Sequence, residues 1–216
     1  MDYQSPLSKK SSRRALVVSG AVGGIAAALG LPLIAAQKAD ARPATSNKRN
    51  DVKILNNALY YEHQAIWAYG AAAGKLTNTE VGKAVLTLAL RNQADHKKHR
   101  DALAATITSL GGTPVKTESS YDVSSYIKKG EGNLDSDVNI AKLALALETD
   151  AAIAYSQEVA KLKTPKLITV GASIGSTEAA HAAAIRATFK ALGVDIEIVP
   201  ASFVSRENRE AWVLKV

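Results

Sequence analysis

Glu178 and His181 stand three residues apart in Ser176-Thr177-Glu178-Ala179-Ala180-His181, the spacing at which two side chains of one helix point the same way. A carboxylate and an imidazole so placed can hold one side of a metal ion. Four helices can build two such positions when two of them each give Glu-x-x-His and the other two each give one Glu, all projecting inward. The chain offers candidates for the remaining parts in Glu62, Glu148, His96 and His99. Three of its four histidines fall in this set. His63, next to Glu62, would point about 100° away on a helix and reads as a surface residue.

Each candidate needs a helix to position it. Val52, Leu55, Leu59, Glu62, Ile66 and Tyr69 recur at three- and four-residue steps, which predicts a first helix from about Asp51 to Gly74 with Glu62 inside its apolar stripe. A second helix is expected from Thr77–Thr79, where Thr77-x-x-Glu80 suggests a capping box, to Leu110 before Gly111-Gly112. A third, from about Ser136 to Lys163, carries Glu148. A fourth, from about Pro165 to Leu192, has Thr164 as its cap and Pro165 in its first turn. Between the second and third, from Gly111 to about Asp135, helical periodicity is absent. A connection that long fits a crossover joining two helices that run in the same direction. The tail, 194–216, opens with Val194-x-Ile196-x-Ile198-Val199 and reads as an extended segment laid on the bundle, closing in a helical turn.

The two halves repeat. Glu62-His63-Gln64-Ala65-Ile66-Trp67-Ala68-Tyr69 lies over Glu148-Thr149-Asp150-Ala151-Ala152-Ile153-Ala154-Tyr155, and each Glu is followed thirteen residues on by Lys-Leu. His99 and His181 are likewise followed by apolar residues and a Gly at matching offsets. Aligned from those helix ends, Glu178 pairs with His96 and His181 with His99. Counted instead from the Glu of the preceding helix, the second helix offers Gln93 and His96. His96 belongs to both registers. Asp95, four residues before His99, could orient that ring, and an exposed helical Asp is the plainer alternative. Tyr69 and Tyr155 could donate to the carboxylates or relay electrons, and packing explains them equally well.

Composition agrees with a helical protein of one domain's size: of 216 residues, 47% are hydrophobic and 5% aromatic, with six prolines. The absence of cysteine rules out disulfides, thiolate metal sites and cysteine nucleophiles. Of the formal charge of +7, +3 falls on residues 1–41. The rest is dispersed, with no basic run beside aromatics, a pattern that argues against nucleic acid. Residues 1–41 read as an export leader: Ser12-Arg13-Arg14-Ala15-Leu16-Val17, an apolar Gly/Ala-rich run to about Ala36, then Ala39-Asp40-Ala41 as a cleavage site. The arginine pair resembles a twin-arginine signal, which implies the Tat export machinery as a partner and a periplasmic or equivalent lumen as the destination. The alternative is an uncleaved N-terminal membrane anchor, since Ala15–Ala36 has the length of a span. Residues 42–50 then form a linker, 51–193 the bundle and 194–216 the tail.

The chain from about Val52 to Gly193 resembles the ferritin-like superfamily of four-helix bundles. The phrases Glu62-His63-Gln64-Ala65-Ile66-Trp67-Ala68-Tyr69-Gly70 and His99-Arg100-Asp101-Ala102-Leu103 are similar to those of a bacterial branch of it. The resemblance implies an all-α fold with a long crossover between helices 2 and 3, and a metal pair held by Glu62, Glu148, Glu178 and His181 with His96 and His99. Helix 2 departs from the family pattern because neither register supplies its Glu. Carboxylates with neutral imidazoles suit Fe or Mn, and two ions per chain are expected. The expected activity is oxidoreductase chemistry, as a ferroxidase or on dioxygen or peroxide. The rival reading is a non-catalytic metal-binding or stress-related bundle, which the missing fourth carboxylate favours. Mineral storage is a weaker third, because the basic balance gives no acidic nucleation surface. A homo-oligomer is compatible with all three.

Overall fold

The computed structural model describes residues 46–216; the expected export leader and the first four residues of the expected linker lie outside the described residues. Four long helices carry the fold: α1 (Ser46–Ala73), α2 (Glu80–Ser109), α4 (Asp137–Val159) and α5 (Pro165–Ala191). Two short ones, α3 (Ser124–Lys128) and α6 (Arg209–Trp212), lie in the crossover and the tail. The helix α1 begins at Ser46, earlier than the apolar pattern indicates, because Ser46-Asn47-Lys48-Arg49-Asn50 is polar and leaves no periodicity to read. The five residues of α3 are likewise too few to show a period. No helix among the described residues is long and apolar enough to cross a membrane.

The tightest pairings are α1 with α2 and α4 with α5. Glu62 meets His96 while Tyr69 meets Asn92, so α1 and α2 are antiparallel. Glu62 also meets Tyr155 while Tyr69 meets Glu148, so α1 and α4 are antiparallel as well. It follows that α2 and α4 run in the same direction, as the long crossover requires. That crossover is strapped along α1: Asn56 exchanges hydrogen bonds with Thr113 and Val115 at 3.1 and 2.8 Å, and buried Tyr121 packs edge-on against Tyr60. Its end turns at Gly132, whose φ of +109° and 2.2 Å approach of a would-be Cβ to the Leu143 nitrogen leave no room for a side chain.

The apolar core comes in two blocks. Leu55, Leu59, Leu103, Ile107, Leu167 and Ile174 fill one end of the bundle. Val85, Ile140, Leu145, Ile185, Phe189 and Trp212 fill the other. Between them lies a belt of buried polar residues that includes Glu62, Asn92, His96, Glu148, Glu178 and His181.

The helix starts are capped from across the bundle. Fully buried Asp51 of α1 accepts from the Lys163 and Thr164 amides at 2.8 and 3.0 Å and from the Thr164 hydroxyl at 2.7 Å. The hydroxyl of Thr164 is thereby drawn away from its own helix, and the Asp51 carboxylate sits at the N-terminus of α5, where the backbone dipole favours negative charge. Asp137 of α4 does the same for α2, accepting from the Thr77 amide at 2.8 Å and the Thr79 hydroxyl at 2.9 Å. The N-cap of α2 is therefore Thr79, which accepts from the Gly82 amide, rather than Thr77. Both aspartates stand eleven residues before the Glu of their helix.

The tail is held by ions and by Trp212, which is 2% exposed. Arg209 forks onto Glu131 with two bonds of 2.7 Å and also reaches Asp150. Arg186 of α5 donates to the Trp212 and Glu197 carbonyls at 2.7 and 2.8 Å. The hydrogen bonds from Arg209, opposed by burial, hold the Glu131 carboxyl at about 2 against an ordinary 4.5.

Two outcomes are expected. Asp51→Ala strips a buried partner from two amides and a hydroxyl, so it should lower unfolding free energy by about 1–3 kcal/mol in urea; an unchanged midpoint would contradict the cross-bundle cap. Glu131 has a folded pKa below its unfolded one, so its stabilisation is complete above pH 4.5 and is lost as pH falls toward about 2. Glu131→Gln should flatten the stability curve in that window, and an unaltered acid profile would show that the tail clasp contributes nothing.

Candidate metal centre

Six side chains meet in the polar belt. Glu62 comes from α1, His96 and His99 from α2, Glu148 from α4, and Glu178 and His181 from α5. Each helix presents its residues inward because they occupy the apolar stripe: Glu62 follows Leu55 and Leu59, and Glu148 follows Leu145. Gly175 allows α5 to close on α4, since a Cβ there would stand 2.9 Å from that of Tyr155.

His96 lies at the centre, its Nδ1 at 2.8 Å from Glu62 and its Nε2 at 3.1 Å from Glu148 and 3.8 Å from Glu178. His99 Nδ1 stands 2.9 Å from Glu178 and 3.7 Å from Glu62. His181 Nδ1 stands 3.2 Å from Glu178 and 3.3 Å from Glu148. Potential ligand atoms fall into two groups, Glu62–His96–His99–Glu178 and His96–Glu148–Glu178–His181, each within a span of 4.8 Å. The helix-end register of the repeat is therefore the one realised. Gln93 turns away, donating to the Ile66 carbonyl at 2.9 Å and accepting from Lys97.

The surrounding residues hold the carboxylates in place. Tyr69 of α1 donates to Glu148 of α4, and Tyr155 of α4 donates to Glu62 of α1. Buried Asn92 adds a donor to the Tyr69 oxygen at 3.0 Å. Nothing singled out Asn92 in the sequence, although it sits four residues before His96 and hence on the same helix face. Asp95 faces His181, at 3.4 Å from Nε2, and not His99: as neighbours on the helix, Asp95 and His96 point in different directions, and that of Asp95 leads to α5. Asp95 is itself anchored by Arg91 and Lys98. His63 is half-buried and faces the Val115 carbonyl of the crossover, outside the cluster.

Burying three carboxylates is expensive unless each is compensated. Burial alone would raise the Glu62 carboxyl, but the hydrogen bond from His96 and the nearby His99 ring hold it at about 2. His96 and His181 likewise override burial to hold Glu148 far below the usual range. Burial and the charge of Glu148 push Glu178 up. The imidazoles move oppositely. Burial would lower them, yet Glu178 and Glu62 bring His99 to about 9, and Glu148 and Glu178 bring His181 to about 10.

Protons on the rings thus balance the carboxylates, and they do so incompletely. His99 Nδ1 and Glu178 Oε1 are both buried and 2.9 Å apart, yet neither makes a hydrogen bond, because the approach is off the line that an N–H···O contact needs. A cation between them would satisfy both. Three carboxylates and three imidazoles with their neighbours already fixed by Tyr69, Tyr155 and Asp95 are a donor set that could hold a metal ion.

A metal must displace the ring protons. Its apparent affinity should therefore climb as pH rises toward about 9 to 10, where His99 and His181 shed their protons. Metal titration in weakly buffered solution should acidify the medium; binding that is flat with pH and releases no protons would place the ion elsewhere.

A family model for a ferritin-like domain matches residues 50–191. Among solved structures, a conserved hypothetical protein from Mycobacterium tuberculosis is similar in fold, with 24% identity and a TM-score of 0.54 over 73% of this chain and 99% of that one. A comparison with curated proteins finds no match. With two-thirds of its length matched and a buried Glu/His belt at the centre of four helices, the chain belongs to the ferritin-like domain family.

Proposed function

We propose that this is an exported metalloprotein that binds a pair of Fe or Mn ions among Glu62, His96, His99, Glu148, Glu178 and His181, and that it acts as an oxidoreductase, a ferroxidase or an enzyme of peroxide or oxygen chemistry. The unpartnered His99–Glu178 pair at the heart of a buried, converging donor set carries the reading. Bound there, the ions would supply one-electron chemistry toward dioxygen or peroxide. The residues do the positioning. Asp95 accepts at His181 Nε2, which leaves Nδ1 free to ligate. Tyr69 and Tyr155 fix the rotamers of Glu148 and Glu62 from opposite helices.

Access supports the redox reading. A mainly apolar cavity of about 340 Å³ opens between α1 and α4, walled by Ala58, Ala65, Ala68, Leu147 and Ala151, and reaches Glu62, His96 and Glu148. A small uncharged reactant could enter by it. Export by the Tat route, read from residues 1–41, belongs to the same proposal, because that route carries folded, metal-loaded proteins.

One observation favours a non-catalytic metal-binding or stress-related bundle. His96 occupies the place where a carboxylate would add a fourth negative charge, and a less negative site stabilises oxidised metal less.

Elemental analysis of the purified protein beside a Glu178→Ala/His181→Ala double variant tests the metal. About two Fe or Mn per chain in the parent, lost in the variant, is expected; no metal in either would end the proposal. Rapid oxidation of added Fe(II) or consumption of peroxide by the loaded parent alone then separates the oxidoreductase from the carrier.

A further inference from the structure

The two candidate groups are not independent. Glu178 and His96 belong to both, and each shows a different atom to either side. Glu178 turns Oε1 to His99 and Oε2 to His181. His96 turns Nδ1 to Glu62 and Nε2 to Glu148. The unshared residues fall into matched sets, one carboxylate and one imidazole each: Glu62 with His99, and Glu148 with His181. These are the residues that the internal repeat superimposes.

We propose that His96 is a shared ligand, spanning two metal positions through its two ring nitrogens, with Glu178 spanning the same two positions through its two oxygens. The inference rests on the metal-binding reading above and adds the connectivity of the pair. On this geometry the second helix lacks no ligand. A bridging carboxylate is replaced by a bridging ring, which the helix-end register puts opposite Glu178.

An imidazole has a lone pair for each of two metals only when neither nitrogen carries hydrogen. A neutral ring holds one N–H and the charged ring two, so ligation through both nitrogens releases every ring N–H proton to solvent and leaves a bridging anion. The charge left on the ring is the fourth negative charge that the carboxylate count lacks. Glu62, Glu148, Glu178 and the deprotonated ring together then balance two divalent ions. The ring is also gripped from both sides before any metal arrives. Glu62 and Glu148 lie against opposite edges of His96, and each of them is held in turn by a tyrosine from the facing helix. His99 and His181 have no such arrangement: each directs Nδ1 toward the centre, and His181 gives its other nitrogen to Asp95.

The test is titration of the metal-stripped full chain with Mn(II), read by bound metal per chain and by electron paramagnetic resonance. The parent should bind two ions, and the hyperfine-split signal of isolated Mn(II) should collapse as the second enters. His99→Ala and His181→Ala should each keep one ion with an isolated-ion signal. His96→Ala should weaken both positions by roughly tenfold or more. If His96→Ala keeps one ion at parental affinity, the ring serves a single position and the proposal falls. Thermal melting of each variant reports whether it folds. Should His96→Ala not fold, the parent spectrum decides alone: two bound ions with undiminished isolated signals overturn the shared ligands. A parent that binds one ion overturns the bridge and leaves the metal reading intact, whereas a parent that binds none removes both.

Discussion

Three carboxylates of this chain, Glu62, Glu148 and Glu178, lie almost completely out of water within hydrogen-bonding distance of one another's partners. Leaving such charges in a low-dielectric interior without counter-charge is one of the most unfavourable things a fold can do. The surrounding structure is arranged to answer that demand. His96, His99 and His181 take up protons well above the ordinary imidazole range in response to the carboxylates, and Tyr69 and Tyr155 spend their hydroxyls on Glu148 and Glu62. The apolar blocks at either end supply the packing that keeps the four helices together around this belt. A core of leucines alone would be more stable and would have no affinity for a cation.

The site inherits its symmetry from the chain. Each long helix of one half finds its counterpart in the other, and contacts are made crosswise: the tyrosine of α1 serves the Glu of α4, and the tyrosine of α4 serves the Glu of α1. Among the six clustered side chains the symmetry breaks where His96 of α2 faces Glu178 of α5. That substitution sets this cluster apart from one built on four carboxylates, and it lies at the centre of the site, where a change of donor touches both halves.

The helices and their inward-facing Glu and His residues were legible because they rest on periodicity and on repeated offsets, which are local properties of the sequence. Glu62 in an apolar stripe and Glu178 three residues from His181 needed no tertiary information. The choice between Gln93 and His99 did need it, since two registers were consistent with the repeat and only packing of α2 against α1 turns Gln93 toward the Ile66 carbonyl. Spacing along α2 offers Asp95 either a turn toward His99 or, more plainly, an exposed position; it is buried instead and faces His181, which lies on another helix and leaves no mark in local spacing. Polar Ser46–Asn50 is helical without any apolar signal, and Thr164 surrenders its hydroxyl to an aspartate more than a hundred residues away. Such partners come from tertiary contact and leave no local trace.

Asp51 and Asp137 carry a consequence for how such a chain could arise and assemble. Each half of the protein is a helical hairpin, and each lends an aspartate to the start of the other's second helix: Asp51 to Thr164 at α5, and Asp137 to Thr77 and Thr79 at α2. A single hairpin would therefore be incomplete as a monomer and complete as a two-fold pair, with the exchange of aspartates acting as the lock between identical copies. Fusion of two copies through the crossover would convert that intermolecular lock into an intramolecular one, after which the halves were free to diverge, as they have at His96. The same reciprocity means that a cut within the crossover would leave two pieces with a built-in reason to find each other again.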